Sequence, residues 1–188
     1  GRSGDALDFG SLVEVGADHV LLSAAAAGGA AAGRRGAGVR DARGDAAVLR
    51  AHLLVHVGGG PLKEKLARRA RQLGIAERLQ WRGARTQVEL LAEYRAADLF
   101  ALASRVARDG DRDGLPNVLV EAQSQGLACV ATRVSGIPEL IDDGVTGLLV
   151  EPEAPQKLAQ ALELLIREPA RRRSFGEAGR RKVQEKFG

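Results

Sequence analysis

GDRDGLPNVLVEAQSQGLACVAT, residues 110–132, decides how the rest of the chain is read. A charged loop with two glycines ends at Pro116, an apolar helix carrying Glu121 runs up to Gly126, and ACVAT (128–132) follows as a buried strand. Proline presets φ for a first helical turn and lacks an N–H that would have no intrahelical partner there, so Pro116 is expected to start the helix. Gly126 is expected to stop it.

The segments on either side repeat this order. HLLVHV (52–57) suits a buried strand ended by glycines 58–60, and PLKEKLARRARQLG repeats Leu62, Leu66, Ala70 and Leu73 at helical spacing. RLQW (78–81) is a second strand, closed by Gly83. TQVELLAEYRAA follows as a helix, with Thr86 as N-cap and Glu89 in the capping-box position. DLFALA (98–103), ACVAT and GLLV (147–150) are three more strands, and PELI is a single turn before the last of them. Leu158, Ala161, Leu162 and Leu165 share one face of the next helix, and a basic helix begins near Ala170.

Largely apolar strands alternating with helices predict a parallel sheet covered on both faces. Right-handed crossovers make this an α/β doubly wound, Rossmann-like domain. Residues 51–188 are expected to form it. Residues 1–50, rich in Gly, Ala, Arg and Asp without a steady period, read as a divergent or poorly structured segment.

Doubly wound folds bind ligands beyond the carboxyl ends of their strands. Glycines 58–60, 83, 110, 114 and 136 all fall at that edge. Behind Pro116, the N–H groups of Asn117, Val118 and Leu119 are expected to be free, and Gly114 lets a large group approach them. Glu121 stands about one and a half turns into the helix among apolar neighbours, where a carboxylate needs a partner. A vicinal diol such as a ribose fits it, and so does a salt bridge or a hydrogen bond to a loop. Asp113 suits either a bound polyol or the capping of the helix. VSGIPEL (134–140) and GGGPLKEKL repeat the glycine-to-helix pattern. None carries the Gly–Lys–Ser/Thr ending of a phosphate-binding loop.

Composition narrows the classes. A net charge of +4 suits an anionic ligand or an acidic membrane surface without demanding either. Arg171, Arg172, Arg173, Arg180, Arg181 and Lys182 read first as a solvated helix face and second as a contact for membrane or partner. Aromatic residues do not interleave with positive charge, so nucleic acid is not an expected partner. His19, His52 and His56 lack partners at ligand spacing, so no metal is expected. Cys129 is the single cysteine and reads as a small core residue. No stretch has the length of a membrane span. The expected location is the cytoplasm, with the inner face of the cell membrane as a surface for peripheral contact. The sequence contains no methionine, even at position 1, and reads as part of a longer protein.

VHVGGGPLKEKL, LQWRG, DLFALAS and GDRDGLPNVLVEAQSQGLACVATRVSGIPELIDDGVTGLLVEP together resemble the C-terminal donor-binding domain of retaining GT-B glycosyltransferases. More narrowly they resemble family 4, the group 1 glycosyltransferases. The resemblance covers about residues 52–187. It implies one half of a GT-B fold, a nucleotide-diphosphate sugar as donor substrate, and no further cofactor. The implied reaction transfers a hexose with retention to a glycan or lipid-linked acceptor, once the chain is joined to an N-terminal acceptor domain. Two carboxylates with seven residues between them mark the family. Glu121 takes the second position, holding the ribose hydroxyls. Asp113 takes the first, which contacts the donor sugar. By the same resemblance Gly114, Leu115, Pro116, Asn117 and Val118 lie against sugar and diphosphate. Arg82 and Gly83 cradle the base, and Gly59 and Gly60 line the cleft. VSGIPEL packs behind, with Glu139 structural.

The chain also departs from the family pattern. Asp113 replaces the usual glutamate and reaches about 1.5 Å less. The helix after Glu121 is more polar than usual, with Gln123, Ser124 and Gln125, and Ala128 stands where proline is expected. In GSLVEVG (10–16), Ser11 and Val15 occupy the positions of an arginine and a lysine that neutralise the donor diphosphate. Residues 11–50 have diverged, or they stand outside the reading frame the rest implies. An isolated donor domain is expected to bind donor without transferring it. The alternatives are a catalytically inactive nucleotide-sugar-binding or structural module, and a sugar-nucleotide epimerase of similar architecture.

Overall fold

The computed structural model describes residues 20–24, 52–58, 63–72, 74–104 and 115–188. The described residues include six strands: β1 Val20–Ala24, β2 His52–Val57, β3 Leu79–Gly83, β4 Leu99–Leu102, β5 Ala128–Thr132 and β6 Gly147–Val150. The helices are α1 Lys63–Gln72, α2 Gln87–Ala96, α3 Asn117–Ser124, the single turn α4 Ile137–Leu140, α5 Pro155–Arg167 and α6 Pro169–Phe187. The strands lie in the order β3-β2-β1-β4-β5-β6. This is the order of the doubly wound nucleotide-binding fold, so the expected α/β class stands.

β1 departs from expectation twice. VLLSA lies inside the segment read as poorly structured, yet it fills the centre of the sheet. The boundary drawn at residue 50 therefore does not separate it from the domain. It is also antiparallel to both neighbours, pairing Val20 with His56 of β2 and with Ala101 of β4. The other three pairings are parallel, so five strands run one way and the central one runs against them. Direction is not dictated by the burial pattern. Val20 and Leu22 face one side and Leu21 the other whichever way the strand runs, and antiparallel bonding is no weaker than parallel.

Strand alternation sorts the interior into two layers. On one face Leu22, Leu54, Leu99, Ala101 and Val130 meet Leu66 of α1, Leu158, Leu162 and Leu165 of α5, and Phe175 of α6. On the other, Leu21, Val55, Phe100, Cys129 and Ala131 meet Tyr94 of α2, Leu119 and Ala122 of α3, and Ile137 and Leu140 of α4. Every residue of β4 and β5 is buried, as a strand covered on both faces requires. α2 begins as the sequence predicts. Glu89 N–H donates to the Thr86 hydroxyl, and the Glu89 carboxylate accepts from Thr86 N–H at 2.9 Å.

α6 closes the fold. Gly176 lies so near the Gly126 carbonyl, just past α3, that a Cβ there would collide with it. Arg172 donates to the carbonyls of Leu165 (3.1 Å) and Ile166 (3.4 Å) near the end of α5, and it pairs with Asp98 ahead of β4. Carbonyls at a helix C-terminus lack intrahelical donors, and a guanidinium satisfies them.

The basic face of α6 is partly neutralised. Arg171 pairs with Glu168, Lys182 with Asp142, and Lys186 approaches Glu139 at 3.9 Å. The last contact joins exposed side chains of α4 and α6. Among the described residues no helix is long and apolar enough to cross a membrane.

Candidate functional site at the carboxyl edge of the sheet

The carboxyl ends of β2, β3, β4 and β5 lie along one edge. β1 runs the other way and enters the sheet there, since Val20 aligns with His56 and Ala101. Gly58 N–H donates to the Gly83 carbonyl at 2.9 Å, tying the ends of β2 and β3 together. The Thr132 hydroxyl donates to the Ser104 carbonyl at 2.8 Å and does the same for β5 and β4. Gly83 sits at φ +66°, a left-handed conformation that costs other residues roughly 1–2 kcal/mol. No atom lies within 4 Å of where its Cβ would stand, so the backbone and not space demands glycine there.

α3 rises from the same edge. Pro116 is its N-cap, with extended backbone (φ −71°, ψ 110°), and the helix proper begins at Asn117. The helix therefore starts one residue later than expected. The expected trio of free N–H groups also shrinks. Leu119 N–H donates to the Pro116 carbonyl at 2.9 Å, which leaves Asn117 and Val118 as the N–H donors without an acceptor among the described residues. Leu115 packs behind them: a Cβ on Gly136 would stand 3.2 Å from the Leu115 side chain and 3.5 Å from its Cα. The turn carrying VSGIPEL thus supports the base of α3.

Glu121 is half-buried on the second turn of α3. Its neighbour across the layer is Tyr94 of α2, whose side chain is fully buried and meets Phe100 edge-on at 5.8 Å between ring centres. The Tyr94 hydroxyl faces the Val118 carbonyl at 3.5 Å, long for an O–H···O bond. Its ionisation is pushed far above the ordinary tyrosine range. Burial is the main cause, followed by the nearby Glu121 charge. Tyr94 therefore stays protonated, an O–H donor facing the Val118 carbonyl. The sequence alone assigns Tyr94 no part in the site. The missed signal is a single tyrosine on a capped helix, where a buried hydroxyl must find an acceptor.

α2 contacts β3 and α3 through consecutive side chains. Glu93 pairs with Arg82 of β3 at 3.2 Å, Tyr94 meets α3, and Arg95 donates to Gln125 at 2.9 Å. Arg82 thus turns its guanidinium to α2, and the Gly83 carbonyl is taken by Gly58. Of the residues expected at the site, the structure places Leu115, Pro116, Asn117, Val118 and Glu121 together on one helix start, with Arg82 and Gly83 at the end of β3. Gly59, Gly60, Asp113 and Gly114 lie outside the described residues. His56 packs against Trp81, rings 5.1 Å apart, as an ordinary strand residue. Cys129 is buried in the core, which raises its thiol pKa. Among the described residues no group of three or more His, Cys, Asp or Glu could hold a metal ion.

Comparison with known proteins places this edge in a family. Residues 47–182 match the family described as "Glycosyl transferases group 1". The chain is 38% identical over 128 residues to the GDP-mannose-dependent alpha-(1-6)-phosphatidylinositol monomannoside mannosyltransferase of Mycolicibacterium smegmatis, covering 68% of this chain and 34% of that protein. It is 41% identical over 109 residues to the D-inositol 3-phosphate glycosyltransferase of Corynebacterium aurimucosum, covering 58% of this chain and 24% of that protein. The chain thus spans about a third or less of these relatives. Among solved structures, Anabaena HepE in complex with UDP-glucose superposes with a TM-score of 0.61 at 26% identity, over 71% of this chain and 36% of that one. The C-terminal domain of a group 1 glycosyl transferase (LpcC) from Francisella tularensis gives 0.56 at 29% identity, over 67% of this chain and 62% of that one. A match over residues 47–182, carried on a doubly wound sheet with its helix start at the carboxyl edge, shows that the chain belongs to the group 1 glycosyltransferases.

Proposed function

We propose that the chain is the donor-binding half of a retaining GT-B glycosyltransferase of family 4. It binds a nucleotide-diphosphate sugar at the carboxyl edge and, joined to an N-terminal acceptor domain, transfers a hexose to a glycan or lipid-linked acceptor. The observation that carries this reading is the start of α3. Two N–H donors stand ahead of the helical ladder, and a half-buried carboxylate follows one turn later. The donors and the positive end of the helix suit a diphosphate. The carboxylate suits the two hydroxyls of a ribose, each bond to a charged acceptor contributing roughly 1.5–3 kcal/mol. A GDP-mannose-dependent relative and a neighbour solved with UDP-glucose support the donor class. Asp113 contacts the donor sugar in this proposal, and Gly59, Gly60 and Gly114 line the cleft. A cytoplasmic location, with the unpaired basic residues of α6 toward the membrane face, belongs to the same proposal.

A second reading, a binding module without transferase activity, is favoured by the N-terminal region. Ser11 and Val15 replace the basic anchors, and β1 enters the sheet reversed. Both readings require nucleotide binding. GDP and UDP titrated calorimetrically against the wild type and Glu121→Ala test it. Binding that weakens about tenfold or more in the variant supports the ribose role; equal weak binding in both proteins removes it.

A further inference from the structure

We propose that the outer face of α1 is an electrostatic docking surface for a bilayer of anionic phospholipids. The inference rests on the reading above for its purpose, which is to bring a lipid-linked acceptor to the site. α1 carries Lys63, Lys65, Arg68, Arg69 and Arg71, with Glu64 as its single acid. All five cations are exposed, and none has an ion-pair partner among the described residues. Leu66 and Ala70 face the core, so the outward arc of the helix is left to charge. On α6, by contrast, Arg171, Arg172, Lys182 and Lys186 all meet carboxylates.

Helix stability does not account for this pattern. Lys63 and Lys65 stand in the first turn, where the positive end of the helix dipole disfavours cations, and neighbouring like charges repel. The charge is also sorted by layer. α1 and α5, on one face of the sheet, carry seven cations against two acids. α2, α3 and α4, on the other, carry one cation against four acids. A molecule polarised in this way turns its basic face toward an anionic surface.

The chemistry of the face selects its partner. α1 has no aromatic residue on which bases could stack, so nucleic acid would gain only phosphate contacts. Leu66 and Ala70 are buried, so nothing apolar is offered to the acyl chains, and attraction to anionic headgroups is the whole of the contact. Long Lys and Arg side chains reach from the curved helix to a flat surface. α1 follows β2 and leads back to the start of the parallel β3, so its first turn stands at the carboxyl edge, as does the start of α3. A bilayer against α1 thus brings lipid headgroups beside the candidate site.

The test is co-sedimentation of the 188-residue chain with vesicles of phosphatidylcholine alone and of phosphatidylcholine mixed with phosphatidylserine. The expected result is binding to the anionic vesicles only, weakening as salt screens the charges. Each cation near such a surface contributes about fivefold in affinity. Lys65→Gln, Arg68→Gln, Arg69→Gln and Arg71→Gln combined should therefore lower it about a hundredfold or more. Arg180→Gln with Arg181→Gln, on α6, should cost far less. The α1 variant should bind GDP and UDP as the wild type does, so the nucleotide titrations judge the donor reading separately.

Equal binding to both kinds of vesicle, or an α1 variant that binds anionic vesicles like the wild type, overturns the proposal. So does an α6 variant that loses more than the α1 variant, or duplex DNA that competes as tightly as the anionic vesicles bind. The salt series on the wild type alone keeps the question refutable should the combined variant not fold: an affinity indifferent to salt overturns an electrostatic contact.

Discussion

Replacing Gly176 by alanine sets two effects of opposite sign against each other. Gly176 lies inside α6, a helix of 19 residues, where glycine is worth roughly 1 kcal/mol less than alanine. Propensity alone therefore predicts a more stable protein. The structure predicts the reverse. A Cβ at this position would collide with the carbonyl of Gly126 and stand 3.4 Å from the backbone nitrogen of Ala128. Both obstacles are backbone atoms at the junction of α3 and β5, and neither has a rotamer to yield. Overpacking of this kind costs about 1–3 kcal/mol, and a backbone obstacle belongs at the upper end. Subtracting the propensity gain leaves a net loss of about 2 kcal/mol, or roughly 4–8 °C in Tm for a domain of this size.

Gly179 is the internal control. Its nearest obstacle is the Gln123 side-chain nitrogen at 3.1 Å, with the Thr146 carbonyl at 3.4 Å, so alanine needs a shift of only a few tenths of an ångström. Gly179→Ala should fall within about 1 kcal/mol of the wild type, because propensity and crowding nearly cancel. Urea unfolding of both variants, with m-values compared, measures the difference. A Gly176→Ala protein as stable as the wild type, or more so, would refute the reasoning that α6 docks through that glycine.

Other consequences follow from local contacts. Thr86→Ala should cost about 1 kcal/mol by removing the N-cap of α2, as read by urea unfolding at neutral pH. The Glu89 carboxyl is held below its ordinary 4.5, first by Thr86 backbone N–H, then by the Thr86 hydroxyl, and to a lesser degree by Arg85. A carboxyl lowered in the folded state stabilises it fully above the unfolded pKa, and this is lost as pH falls through the folded value. The advantage of the wild type over Glu89→Gln should therefore fade in acid; an advantage constant through that range contradicts the contact. Cys129 is wholly buried, and burial pushes its thiol up, so labelling by a disulfide reagent should proceed only at the rate of unfolding. Burst labelling of native protein would contradict its place in β5.

Much of this architecture is legible in the residues, for reasons that can be named. ACVAT and GLLV match β5 and β6 residue for residue, because an apolar run between glycine or proline signals admits little else. Thr86 and Glu89 mark the start of α2 because a capping box uses defined side chains at defined spacing. β1 was not legible. VLLSA sits beside an alanine and glycine run, and five apolar residues carry no period long enough to separate strand from helix. Its reversed direction is set by tertiary pairing, which local pattern does not encode. The helix start at the site was visible in Pro116, but the Pro116 carbonyl's capture of Leu119 N–H is a matter of turn geometry. Tyr94 was hidden differently: its tie to α3 joins residues 24 positions apart, and only packing brings them together.

A crystal structure of the chain with GDP or UDP bound would show what the start of α3 holds. Ribose hydroxyls should lie within hydrogen-bonding distance of the Glu121 carboxylate, and diphosphate oxygens on the N–H groups of Asn117 and Val118. A nucleotide bound elsewhere, or one with its ribose turned away from Glu121, would contradict it.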